Sequence, residues 1–79
     1  AAMHPATPVT QAAAEDSAAT IVRLAYPAFV GAPHTTTRLT DFGVEHWLVE
    51  YSDTASGAPR GLRVSIVVAT GKVEVSTFP

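Results

Sequence analysis

Three histidines, His4, His34 and His46, are the residues of this chain whose chemistry most readily suggests a site. Imidazole ligates metals and carries protons, but metal ligands gather at helical or short-loop spacings, such as two histidines four apart. Here one histidine lies near the N-terminus, one in a connector containing Pro and Gly, and one in an alternating, strand-like run. No shared metal site and no cofactor are expected from that spacing. Nucleophilic catalysis would need a serine or threonine beside a base and an orienting carboxylate. Ser52, Ser56 and Ser65 with His46 and Asp53 are the available set, and none sits in a strained turn of the GxSxG kind. Ser52-Asp53 reads instead as turn chemistry, in which short polar side chains bond the nearby backbone. Asp41, Glu45, Glu50 and Glu74 are dispersed over separate strands, without the fixed pairing that glycoside hydrolysis uses. Cysteine is absent, which removes thiolate nucleophiles, CxxC redox chemistry, disulfides and thiolate zinc sites. The expectation is a protein that is not an enzyme.

Aromatic residues are better candidates for function. Trp47 and Tyr51 stand two pleats apart on one face of an alternating run, so they either cover a helix or form an exposed aromatic surface. Tyr and Trp on an open face suit a protein partner. Arg60 and Arg63, near the mouth of a long polar loop, could join that patch, and Val75 lies in a C-terminal strand with few charges. Trp47, Tyr51, Arg60, Arg63 and Val75 are therefore the candidate partner-binding residues. Charge narrows the partner: 5 basic residues against 7 acidic ones give a formal net of -2, and the basic residues are scattered, so no nucleic-acid stripe forms. No apolar run approaches the roughly 18 residues that a bilayer span requires, so no direct membrane insertion is expected. A protein partner, or a second copy in a homodimer, is the remaining class.

The elements that must position these residues follow from punctuation and period. At 79 residues the chain has room for one domain, with residues 1–6 as a tail and 7–79 as a single α+β unit. Thr7-Pro8 is a helix-start signal, with Thr10 as a competing cap, and the alanine-rich segment that follows contains no Gly or Pro up to Ala25. Ala14, Ala18, Ile21, Val22 and Ala25 fall on one stripe, with Glu15, Asp16 and Arg23 off it. Tyr26-Pro27 ends the helix, because proline disfavours α geometry in the residue before it. Thr35 to Phe42 is a strand or extended loop, Asp41-Phe42-Gly43 a turn with Gly43 at positive φ, and Val44 to Tyr51 a strand. After a polar loop from Ser52 to Arg60, Gly61 to Ala69 alternates most clearly, with Leu62, Val64, Ile66 and Val68 directed at Ile21 and Val22 of the helix. Thr70-Gly71-Lys72 turns the chain into a last strand that carries Val73 and Val75. The fold expected is α+β, one N-terminal helix packed on a three- to four-stranded antiparallel β-meander. A helix about 10 Å across cannot cover strands spaced about 4.8 Å apart over the whole sheet, so part of the sheet stays open.

Helix, Thr-rich extended segment, Trp47-Leu48-Val49-Glu50-Tyr51, then Leu62 through Val75 with its Thr70-Gly71-Lys72-Val73 turn: this order resembles the PepSY domain family over roughly Gln11 to Val75. The chain departs from that pattern where Val67 stands in place of the family's aspartate before the turn, and where no helix-strand element precedes Thr7. The resemblance implies a non-catalytic binding module, inhibitory or regulatory, whose partner is a peptidase or envelope protein and whose location is extracytoplasmic. The same layout is similar to that of cystatin-like folds, among them nuclear-transport-factor-like immunity proteins. That alternative implies a module that blocks one cognate bacterial toxin.

Overall fold

The computed structural model describes residues 8–52 and 61–78. Helix α1 spans Gln11–Ala25, and Thr10 caps it: the Thr10 hydroxyl accepts from the Ala13 N–H at 3.1 Å. The Thr7-Pro8 start is thus displaced by the competing cap, and the physical reason lies in Val9. Its N–H donates to the Val68 carbonyl at 2.9 Å and its carbonyl accepts from the Trp47 indole at 2.7 Å. Both polar groups of Val9 are spent on the sheet, so the first helical turn begins after it. The other end follows expectation. Tyr26 terminates the helix, its N–H bonding the Val22 carbonyl at 2.9 Å, and a short 3-10 turn, Pro27–Phe29, follows. Gly31, at φ 81°, then redirects the chain into the sheet.

Four strands form one antiparallel meander: β1 (His34–Asp41), β2 (Val44–Ser52), β3 (Gly61–Val67) and β4 (Val73–Phe78), in spatial order β1-β2-β3-β4. The Thr-rich segment is therefore a strand, and β1 and β4 are the two edges. Asp41 pairs with Val44, leaving Phe42 and Gly43 as a two-residue turn at φ 51° and 77°. Positive φ at both central residues matches the right-handed twist of the flanking strands. β3 ends at Val67, two residues before the apolar alternation does. A wider turn sets that limit: the Val67 N–H donates to the Lys72 carbonyl at 2.9 Å, while the Gly71 N–H donates back to the Val67 carbonyl at 2.8 Å.

Burial follows the alternation. Val49, Tyr51, Leu62, Val64 and Ile66 point to the helix side and are buried against Ala14, Ala18 and Val22, with Phe29 closing one end. Ile21 packs at the margin of this core, and Ala25 is exposed, since the chain leaves the helix immediately after it. Ala14 and Ala18 are 0% exposed, which marks where the helix backbone approaches the sheet most closely.

Candidate binding site

Of the five residues singled out from the sequence, three lie on the helix side. Tyr51 is buried in the core, Trp47 and Val75 are half-buried at its margin, and the indole N–H of Trp47 is committed to Val9. The guanidinium of Arg38 lies over the Trp47 ring at 5.4 Å and bonds Glu45 at 2.9 Å. Arg63 faces the opposite side of the sheet, where it bonds Glu50 at 3.0 Å. Arg60 lies outside the described residues, as do His4, Asp53 and Ser56. Trp47, Tyr51 and Val75 therefore share a face with the helix rather than with Arg63.

The face away from the helix carries a different set. His46 pairs with Leu39 on β1 and Val67 on β3, and its same-face neighbours along β2 are Val44 and Leu48. Four aliphatic side chains thus surround one imidazole. Leu39 and Val44 are exposed at 39% and 46%, and Phe42, at the hairpin tip beside them, is 99% exposed. The depression they line has a volume of about 470 Å³ and is rimmed by Asp41, Arg63 and Glu74. Ser65 also faces this side, one register row from His46. No hydrogen bond joins the two, so the surface offers apolar contact with an N–H group at its centre rather than an activated hydroxyl. Among the described residues no three His, Cys, Asp or Glu side chains gather closely enough to hold a metal ion.

A second concavity, about 420 Å³, opens where the helix ends, between Ala19, Val22 and Arg23 on one wall and Phe29, Val30, His34 and Tyr51 on the others. The His34 and Tyr51 rings lie 5.1 Å apart at a 33° tilt. Beside them Glu15, which helical periodicity places off the apolar stripe, reaches across to the sheet and accepts a hydrogen bond from Thr36. Bonds from Thr36 and then Gln11 hold the Glu15 carboxyl below its ordinary value of 4.5, against a smaller opposing effect of burial. Burial, and secondarily the Glu15 charge, pushes the Tyr51 phenol above 10.

A lowered native pKa contributes stability that is present above the unfolded value and lost as the pH falls through the native one. The urea midpoint of the wild type is therefore expected to fall on acidification below about pH 4.5, and Glu15→Gln to flatten that fall. A midpoint-versus-pH series on both proteins measures this. Parallel curves below pH 5 would contradict the contact with Thr36.

Electrostatically, the Arg38–Glu45 and Arg63–Glu50 pairs lie at the surface, Glu50 half-buried, and contribute little to stability. Chemically, the open sheet face gathers Leu39, Val44, Leu48 and Val67 with Phe42 at its tip. None of the described helices is long and apolar enough to cross a membrane. No family model, no curated protein and no solved structure matches the chain.

Proposed function

We propose that the chain is a non-catalytic protein-binding module, inhibitory or regulatory in the manner the PepSY resemblance implies, which seats a partner protein on the uncovered face of its sheet. The single observation that carries this reading is Phe42. It holds φ 51°, a region that costs a residue bearing a side chain about 1–2 kcal/mol, and its ring is 99% exposed. Glycine or asparagine would form the same turn at lower cost. The hairpin requires the positive φ but not an aromatic there, the ring gains almost no burial in return, and non-glycine residues held in such regions cluster at functional sites. The ring continues the apolar surface of Leu39, Val44, Leu48 and Val67, and aromatic anchors of that type dominate protein interfaces. The partner classes are those the sequence suggests: a peptidase, an envelope protein or a toxin.

Phe42→Asn tests the carrying observation. Relieved of positive-φ strain, the variant is expected to unfold at an equal or higher urea concentration, corresponding to a gain of up to about 1 kcal/mol. A midpoint clearly below that of the wild type would mean that Phe42 serves the fold, and the functional reading would lose its support.

A further inference from the structure

We propose that two copies of this chain pair through β4, antiparallel and centred on Val75, to make one continuous eight-stranded sheet. The inference is independent of partner docking on the sheet face, because it uses backbone groups at the edge. Ladder parity locates those groups. Val67 bonds Lys72 and Val68 bonds Glu45, at 2.9 and 3.0 Å, just beyond the strand ends. Bonded pairs in an antiparallel ladder alternate with non-bonded ones. Counting back through the register, Ser65·Glu74 and Arg63·Ser76 are therefore bonded pairs, and Ile66·Val73, Val64·Val75 and Leu62·Thr77 are not. The N–H and C=O groups of Val73, Val75 and Thr77 consequently point away from β3, on the side where none of the described strands lies.

Natural edges are guarded by charge, proline, bulges or covering segments. β1 meets that rule. The same count, started from the Ser52 N–H bond to the Pro33 carbonyl at 3.0 Å, turns the backbone of His34, Thr36 and Arg38 outward. Arg38 there is charged, and Thr36 is tied to the helix through Glu15. β4 is less protected, its charges, Glu74 and the adjoining Lys72, being confined to its start. Its three outward-bonding residues are Val, Val and Thr, the helix leaves Val73 38% exposed, and no bulge interrupts its register with β3.

A second copy fits this edge better than a charged strand would. Pairing about Val75 sets Val73 against Thr77 of the second copy, Glu74 against Ser76 and Lys72 against Phe78, so no like charges stand directly opposite and the whole strand is used. The two Glu74 carboxylates meet only on a diagonal, about 7–8 Å apart, a repulsion that salt screens. Strand pairing alone buries less than a standard interface, so the dimer should form only at high protein concentration.

Sedimentation equilibrium over a concentration series, combined with amide hydrogen exchange, tests the proposal on the full chain. Mass should rise from monomer to dimer, more readily in added salt. The amides of Val73, Val75 and Thr77 should slow with concentration while those of Glu74 and Ser76, already bonded to β3, do not change. Val75→Pro deletes an outward N–H and leaves the bonds to β3 in place, so it should weaken association by about tenfold or more. Val73→Lys, which guards the edge by charge, should do the same if the proline variant fails to fold. A monomer at every concentration would overturn the proposal. So would association that survives Val73→Lys, or concentration-dependent protection confined to residues other than Val73, Val75 and Thr77.

Discussion

Ile66→Ala is expected to cost about 2–5 kcal/mol of folding stability. Ile66 is 1% exposed at the centre of β3, with Trp47 across one ladder and Val73 across the other. Truncation removes three carbons from water-free surroundings and leaves a cavity that the neighbouring strands cannot close without breaking register. A domain of this length has about 4–12 kcal/mol in total, so the variant is expected to lose from about a sixth of its stability to all of it and to show it as a fall in urea midpoint. Val67→Ala, one residue along on the open face and half-buried, provides the comparison. It should cost markedly less. Equal losses at the two positions would refute the assignment of faces.

Ala18→Leu should be nearly as damaging, by the opposite route. Ala18 and Ala14 are fully buried where the helix meets the sheet, and Val49 and Val64, both at 0% exposure, belong to the same core. A methyl group at that position allows close approach of the helix backbone; three added carbons have no space to enter. Overpacking costs typically 1–3 kcal/mol, and here it must also lift the helix away from β2 and β3. Leucine propagates a helix almost as well as alanine, so intrinsic propensity cannot explain a loss. The exposed Ala19→Leu, on the adjoining helix face, controls for that term and should leave the midpoint within about 0.5 kcal/mol of wild type. If Ala18→Leu were neutral in a thermal or urea melt, the layer spacing described here would be wrong.

These core positions were legible in the sequence because their signal is local. Alternation along Leu62, Val64 and Ile66 sets one face of β3, the Ala14, Ala18, Val22 stripe sets one face of the helix, and proline ends the helix at Tyr26. The features that periodicity missed depend on residues far apart. Val9 bonds Trp47 across 38 positions, and that contact, rather than the cap signal at Thr7-Pro8, decides where the helix begins. Glu15 looks like a solvent-facing charge on a helical wheel, yet its side chain is long enough to reach Thr36 on the sheet. β1 carries threonines on both faces, so its status as a strand comes from pairing with β2 and not from hydrophobic alternation. The candidate site divides in the same way. Alternation sets Trp47 and Tyr51 on one face, and only the register shows that this face turns toward the helix. Local pattern marks Phe42 only as part of a turn. Its exposure and positive φ follow from the pairing of Asp41 with Val44, which sets it at the hairpin tip.

Site-specific photo-crosslinking distinguishes a partner protein seated on the uncovered sheet face from one seated elsewhere. A benzophenone side chain is placed at position 42 in one protein and at position 24 in another. Leu24 is a comparably exposed apolar residue, at 75%, on the helix and away from the open face. Both are irradiated in cells that express the chain, and the adducts are identified by mass. One dominant protein adduct is expected from position 42, lost when Leu48→Lys places a charge within the apolar surface, and no matching adduct from position 24. A partner captured equally from position 24, or an adduct at position 42 that persists through Leu48→Lys in the folded protein, would contradict seating on the open face.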